Sequence, residues 1–434
     1  MRTIRILASI HTIPNNNHVT VFLFNNLLPI LRKKVNVKLI WLVYEAEKLK
    51  LPKHIDSDIT LVDIHDYDNA VEIMQKVKPD IVFDHEHPSL IDFCFDYAGK
   101  YLNIPVVLGL YKDLDYNVNF KQLIFAYLTK FFYRSIPTDK SKTQKKFLRR
   151  GRFFVFKYLF LLKTMAATNT NTLKIIKNFF IILKVTLSLK RPFIDSRFST
   201  TLQWLPGEYF LKHFLKAGYD PSSLVLTGNP IYDIAFKKTQ NFEPTSDGNG
   251  KIRILFLPMQ MYEIGYWTRN ERDFHLKEIL KEICHNKEKM IVKVKLHPSA
   301  QLFYEYEPLI HSIDPSIQIY QKGNVLDYLE DVDVVVTYPA GSSAHMYALI
   351  AKKPIIICNF TKYGRSILLK RDLALECRKS EDLIESILKI IKSNPATEEK
   401  RELFIKEYLY KADGKASERL CDAIMKLLEN KYHQ

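Results

Sequence analysis

Along the first 130 residues, short apolar runs alternate with longer stretches in which apolar positions recur every three or four residues. "TIRILAS", "VNVKLIWLVY", "DITLVDI", "DIVF" and "IPVVLGLY" are β-branched and bounded by polar or turn residues, and they predict strands. Between them "VTVFLFNNLLPILRK", "YDNAVEIMQKVKP" and "LIDFCFDYAGKYLN" carry helical periodicity. The alternation resumes at "STTLQWLP" and runs to "VLTGNPIYD". A polar stretch, "TQNFEPTSDGNGK", reads as a linker. A second block then opens with "IRILFLP" and continues through "MIVKVKLHP", "SIQIY", "VDVVVTYP" and "KPIIIC", closing on helices at Glu381–Ile391 and Lys415–Leu428. Strands alternating with helices imply βαβ units on parallel sheets. The expectation is α/β: two doubly wound, Rossmann-like domains facing a cleft. Residues 1–240 form the first, with an insert at about 130–192, and 250–434 the second, its last helix packing back on the first.

In such sheets ligands sit outside the carboxyl ends of the strands, so the residues just after strands are the candidates. "KVKLHPS" ends a strand on His297-Pro298, and "VVVTYPAGSSAHMYAL" ends one on Gly341, Ser342 and Ser343 ahead of a helical run. A helix N-terminus offers free N–H groups and positive dipole to an anion. A phosphate or diphosphate fits there, and His297 is positioned to donate to it, with Pro298 directing the chain out of the strand. In the first domain "DIVF" leads into Asp84-His85-Glu86-His87, and "SIHTIPNNNH" follows the first strand. Glu86 or His87 is expected as general base, with His85 beside them and His11 lining the acceptor side. The pattern offers no metal-ligand spacing, and neither GxGxxG nor GxxxxGK[ST] occurs, which argues against a dehydrogenase and a P-loop kinase.

With 434 residues the chain is too long for one ordinary core. Its 47% apolar and 26% charged content is that of a globular protein. The cysteines (Cys94, Cys284, Cys358, Cys377, Cys421) are odd in number and scattered, which points to free thiols in a reducing compartment. The N-terminus reads as a first strand and not as a signal peptide, and no apolar stretch reaches transmembrane length. Charge changes the picture more. The net charge is +16, and residues 129–191 hold sixteen Lys and Arg against one acid, Asp139. Phe- and Leu-rich runs are interleaved with those cations, as in a helix lying on an anionic membrane surface. A hairpin packed on its own domain and a nucleic-acid surface are the other readings of this insert, and no nucleic-acid motif supports the last.

These residues also carry a resemblance. "KLHPS", "TYPAGSSAHMYALIAKKPIII" and "YKADGKASERLCDAI" look like the CDP-glycerol glycerophosphotransferases, and the first two also resemble the His-Pro and Ser-Ser motifs of bacterial sialyltransferases and polysialyltransferases. "VLTGNPIYDIA" is similar to the segment entering the second domain of non-hydrolysing UDP-N-acetylglucosamine 2-epimerases and lipid-A-disaccharide synthases. The resemblance implies the GT-B glycosyltransferase fold. It also implies that His297, Pro298, Ser342 and Ser343 hold the donor's phosphate. The sialyltransferase acid-acid-Gly motif is absent. So are the acids of the epimerase Ser-Gly-Gly-x-x-Glu-Glu segment, since Gly341-Ser342-Ser343-Ala344-His345 stands there.

The expected function is transfer of a sugar or polyol phosphate from a nucleotide-activated donor to a glycan or lipid-linked acceptor. No metal or cofactor is expected, only the nucleotide-sugar or CDP-polyol substrate. The expected location is cytoplasmic, peripheral on the inner face of the membrane. The alternative is a UDP-N-acetylglucosamine 2-epimerase-like enzyme.

Overall fold

A computed structural model of the chain describes residues 2–8, 19–44, 54–84, 90–109, 155–168, 171–187, 196, 200–240, 242, 250–263, 267–298, 301–339, 343–360 and 366–432. They fall into two compact units. One draws on Met1–Lys112, Gln144–Asp233 and Ile405–Gln434, the other on Asp113–Thr143 and Ile234–Phe404. The division differs from the expected one near 240–250. The long C-terminal stretch of the second unit begins after Asp233, where helix Asp233–Thr239 starts, and the chain from Ile405 onward belongs with the N-terminal unit.

The first unit is built on an eight-stranded sheet. Its strands are β1 (Thr3–Ala8), β2 (Asn36–Val43), β3 (His54–Asp56), β4 (Ile59–Asp63), β5 (Ile81–Asp84), β6 (Val106–Gly109), β7 (Leu202–Leu205) and β8 (Leu224–Leu226), in the order β3-β4-β2-β1-β5-β6-β7-β8. All pair in parallel except β3, which forms an antiparallel edge on β4. β1 shows why these apolar runs are strands. Ile4, Ile6 and Ala8 enter the core on one face and Leu7 the core on the other, the period-2 alternation of a strand covered on both sides. Gly109 ends β6 because nothing larger fits: a Cβ there would lie 2.0 Å from the Trp204 ring.

The closing helix Ala416–Tyr432 completes this unit. Leu420, Cys421, Ile424 and Leu428, none more than 2% exposed, join Leu23, Leu27 and Leu31 of helix Val19–Arg32. Its first turn is capped from a distant part of the chain. Asp233 accepts hydrogen bonds from the backbone N–H of Ala416 (2.9 Å) and Ser417 (2.7 Å). Arg419 Nε donates to the Thr227 carbonyl at 2.6 Å and its guanidinium pairs with Asp413. Gly228, at φ +85°, lets the two segments close up, since a Cβ there would stand 3.0 Å from Leu409 O and 3.1 Å from Ala416 Cβ.

Part of the basic insert packs on the same unit. In the helix at 155–167, Phe160, Leu161 and Met165 are buried, and the Thr164 hydroxyl accepts from Ala70 N at 3.1 Å. The Phe156 ring stacks on His65 at 4.3 Å. The opposite face of this helix and of helix Thr172–Leu187 stays open: Val155, Leu159, Leu173, Ile176 and Phe180 are 49–77% exposed. No described helix is long and apolar enough to cross a membrane.

The second unit carries a six-stranded parallel sheet of β9 (Ile252–Leu257), β10 (Met290–Lys295), β11 (Gln318–Tyr320), β12 (Val334–Thr337), β13 (Ile355–Cys358) and β14 (Leu375–Cys377). The order is β11-β10-β9-β12-β13-β14. One core takes Ile254, Phe256, Val292, Val294, Val334, Val336 and Ile356 from one face of the sheet, against Leu276, Ile279, Leu280 and Ile283 of helix Arg269–His285. That helix starts on a capping box between Thr268 and Glu271. β14, three residues long, is too short to have been legible from its period.

Candidate functional site

The strand order locates a switch point in each unit. In the second unit the chain runs outward from β9 through β10 to β11, then returns to β12 on the other side of β9. The switch point therefore lies at the carboxyl ends of β9 and β12, with β10 alongside. His297-Pro298 follows β10, and the helix Ser343–Ile350 follows β12. The topology thus brings the two strand ends singled out in the sequence to one edge of one sheet.

His297 is held by its backbone. Its N–H donates to Gln301 Oε1 at 2.6 Å, and Gln301 Nε2 in turn donates to the Pro258 carbonyl beyond β9. Gln321, just past β11, donates to the Gln301 carbonyl. Gln301 is 2% exposed, so one buried amide clasps the ends of β9 and β10. The His297 ring is half-buried. Burial first, and the neighbouring Lys295 second, hold its pKa down to about 4, so it is a neutral donor-acceptor at pH 7. Pro298 is half-buried beside it.

Across the switch point, helix Ser343–Ile350 is anchored by His345. His345 is buried, with Nε2 3.1 Å from Thr337 Oγ1, and the Thr337 hydroxyl also reaches Leu257 O at 3.2 Å. β9, β12 and the helix are thereby joined in one polar contact. Burial keeps His345 neutral, with a pKa of about 4. Ser343 is the helix's first residue and is exposed. Gly341 and Ser342 lie outside the described residues.

On the other face of this sheet a buried carboxyl sits beyond β9. Glu263 Oε1 accepts from Tyr306 Oη at 2.6 Å, and Arg272 lies 4.7 Å from the Tyr306 ring centroid while pairing with Glu305 and Asp273. Burial pushes the Glu263 pKa up.

In the first unit the chain goes from β1 through β2 to β4, then to β5 on the other side of β1, so the switch point lies between β1 and β5. Ala8 and Phe83 are paired at that edge. The segment with His11 leaves from β1 and the one with His85, Glu86 and His87 from β5. All four residues lie outside the described residues. Asp84, the last residue of β5, is fully buried, and Asp92 and Asp96 are buried on helix Leu90–Leu102. Among the described residues no group of three or more His, Cys, Asp or Glu is arranged to hold a metal ion.

Four residues of the second-unit site went unnoticed in the sequence: Lys295, Gln301, Thr337 and His345. The period-2 run Lys293-Lys295-His297 could have signalled the first. The others depend on contacts that only the folded sheet creates.

Residues 209–426 match the family model described as CDP-Glycerol:Poly(glycerophosphate) glycerophosphotransferase. The match contains both second-unit strand ends, as well as the Thr227–Asp233 and Asp413–Arg419 segments that meet in the first unit. No curated protein matches the chain. Among solved structures, a UDP-GlcNAc 2-epimerase from Neisseria meningitidis bound to UDP-GlcNAc has a TM-score of 0.53 at 13% identity, covering 98% of this chain and 100% of its own. The wall teichoic acid polymerase TagF, soaked with CDPG, has a TM-score of 0.52 at 13% identity, covering 99% and 90%. The spinosyn forosaminyltransferase SpnP has a TM-score of 0.51 at 10% identity, covering 98% and 99%. At these identities the likeness is one of fold, and the fold is that of the GT-B glycosyltransferases.

Proposed function

Since the chain belongs to the CDP-Glycerol:Poly(glycerophosphate) glycerophosphotransferase family, and is therefore a transferase, we propose that it moves a polyol phosphate from a CDP-activated donor to a hydroxyl of a glycan or lipid-linked acceptor. The observation that carries this reading is that the family match spans both strand ends at the second-unit switch point.

In this reading the donor's diphosphate lies against His297, Gly341, Ser342 and Ser343, with Pro298 setting the His297 turn. The acceptor oxygen attacks the donor's β-phosphorus, a new P–O bond forms, and the bond to the bridging oxygen breaks to release CMP. Glu86 or His87, with His85 and His11 near them, takes the acceptor's proton. The helix N-terminus and His297 stabilise the charge gathering on the leaving phosphate, so no metal and no resident cofactor are needed. Such preorganised donors commonly contribute about 3 kcal/mol each to lowering a barrier.

The insert supports action at a membrane surface on the cytoplasmic side. Its buried face ties it to the first unit, while Leu159, Ile176 and Phe180 stand exposed among Lys163, Lys174 and Lys177. Each cation near an anionic bilayer contributes about 1 kcal/mol.

The test is a melting-temperature panel with CMP, CDP, CDP-glycerol, UDP and UDP-GlcNAc on the wild type and on His297→Ala. A ligand at 100 times its dissociation constant adds about 2.7 kcal/mol, which moves the melting temperature by several degrees. Cytidine nucleotides are expected to shift the wild type and not the variant. A response to uridine compounds alone would overturn the CDP donor.

A further inference from the structure

The second unit holds a buried cation, Lys295 of "KLHPS", to which the proposed grip gives no role. Lys295 is the last residue of β10 and only 5% exposed. Its Nζ donates to the Leu296 carbonyl at 3.0 Å and the Gln321 carbonyl at 2.8 Å, and lies 5.7 Å from the Tyr328 ring centroid. These partners are neutral. Lys293, two residues earlier, has the Asp331 carboxylate as its ion partner, whereas among the described residues no carboxylate forms an ion pair with Lys295.

A buried ammonium satisfied only by dipoles is costly, and a protein retains one where an anion completes it. Strand alternation puts Lys293, Lys295 and His297 on one side of β10, opposite Val292 and Val294 of the core. Thr337 is likewise opposite core residues Val336 and Tyr338 and bonds His345, so helix Ser343–Ile350 packs on the side of the sheet to which Lys295 belongs. The cation, His297 and the helix start therefore share one face at one switch point.

We propose that Lys295 supplies the fixed positive charge of this site, and that the diphosphate of the donor nucleotide is the anion that completes it. The inference rests on the donor reading above and adds a residue and a charge requirement to it. The charged and titratable groups around Lys295 are His297 and Lys293 on its own strand, Asp327 and Tyr328 on the turn Val325–Tyr328, Tyr320 on β11, and Asp331 beside Lys293. Burial outweighs the attraction of Asp327 and leaves the ammonium with a pKa of about 8.

The experiment compares dissociation constants for CDP and for cytidine, which lacks the phosphates, in the wild type, Lys295→Met, Lys295→Gln and His297→Ala. CDP affinity is expected to fall tenfold or more in both Lys295 variants while cytidine affinity stays within twofold. In the wild type, CDP affinity is expected to fall as pH rises from 8 to 10 while cytidine affinity stays flat, because diphosphate binding then requires proton uptake. This arm needs no variant and decides the matter if Met and Gln do not fold. Equal losses for CDP and cytidine, or a flat CDP profile over that range, overturn the assignment. If His297→Ala loses CDP and Lys295→Met keeps it, Lys295 is ruled out and the donor reading stands. If the wild type binds no CDP, both fall.

Discussion

Single side chains set the pH response. His297 and His345 both have pKa values held down to about 4 by burial, so the unfolded chain binds protons there that the folded one refuses. Stability is then complete above the ordinary histidine value near 6.5 and falls as pH drops toward 4. Urea midpoints between pH 7 and 4.5 should show this decline, and His345→Leu should flatten it. Asp96 has the opposite sign. Its carboxyl is buried with neither oxygen hydrogen-bonded among the described residues, and burial raises its pKa well above the usual range. It contributes fully below the ordinary aspartate value and costs stability as pH rises through its raised value. Asp96→Asn should therefore raise the melting temperature at pH 8, by roughly a few degrees, and leave it unchanged at pH 4. Asp233 acts through its hydrogen bonds. Asp233→Ala leaves the Ala416 and Ser417 amides without their acceptor, and a loss of about 2–4 kcal/mol in chemical denaturation is expected. Cys358 and Cys377 are free thiols facing each other in register on β13 and β14, an adjacency that their spacing in the chain does not hint at.

At the level of elements, the insert's two helices show how one sequence signal served two needs. The charge and aromatic content marked them as unusual, but the period does not say which apolar face a neighbour covers. Phe160, Leu161 and Met165 are covered by the first unit, and Leu159 and Phe180 are not. Leu159→Gln with Phe180→Gln should change the melting temperature by less than about 1 kcal/mol equivalent, because neither side chain is buried. Sedimentation with vesicles containing anionic lipid should drop several-fold for the same protein. Unchanged sedimentation would remove the membrane from the functional reading. Helix Ser343–Ile350 tells the converse story. Its start was readable from Gly341-Ser342-Ser343 before an apolar run, whereas its fastening to β12 through His345 and Thr337 was not, because eight residues of sequence separation reveal nothing about burial.

For the molecule as a whole, the closing thirty residues matter out of proportion to their place in the chain. A chain ending at Phe404 would leave Leu23, Leu27 and Leu31 uncovered, and the first unit should lose cooperative unfolding in calorimetry although its sheet is intact. The apolar and polar alternation by itself determined that strands and helices would alternate in two parallel sheets, and it singled out the ends of β10 and β12, which the strand order brings to one edge of the second sheet, because period and turn residues are local properties of the chain. It did not determine the partition of the chain. Asp233 and Ala416 are joined by a hydrogen bond across 183 residues, and no local pattern records such a meeting. The tertiary structure alone decided that the "TGNPIYD" and "ADGKAS" segments form a structural clasp, that the ends of β9, β10 and β12 share one edge, and that Lys295 stands there buried with no ion pair among the described residues. Each of these is a matter of long-range packing and desolvation, which act only once the sheets have closed.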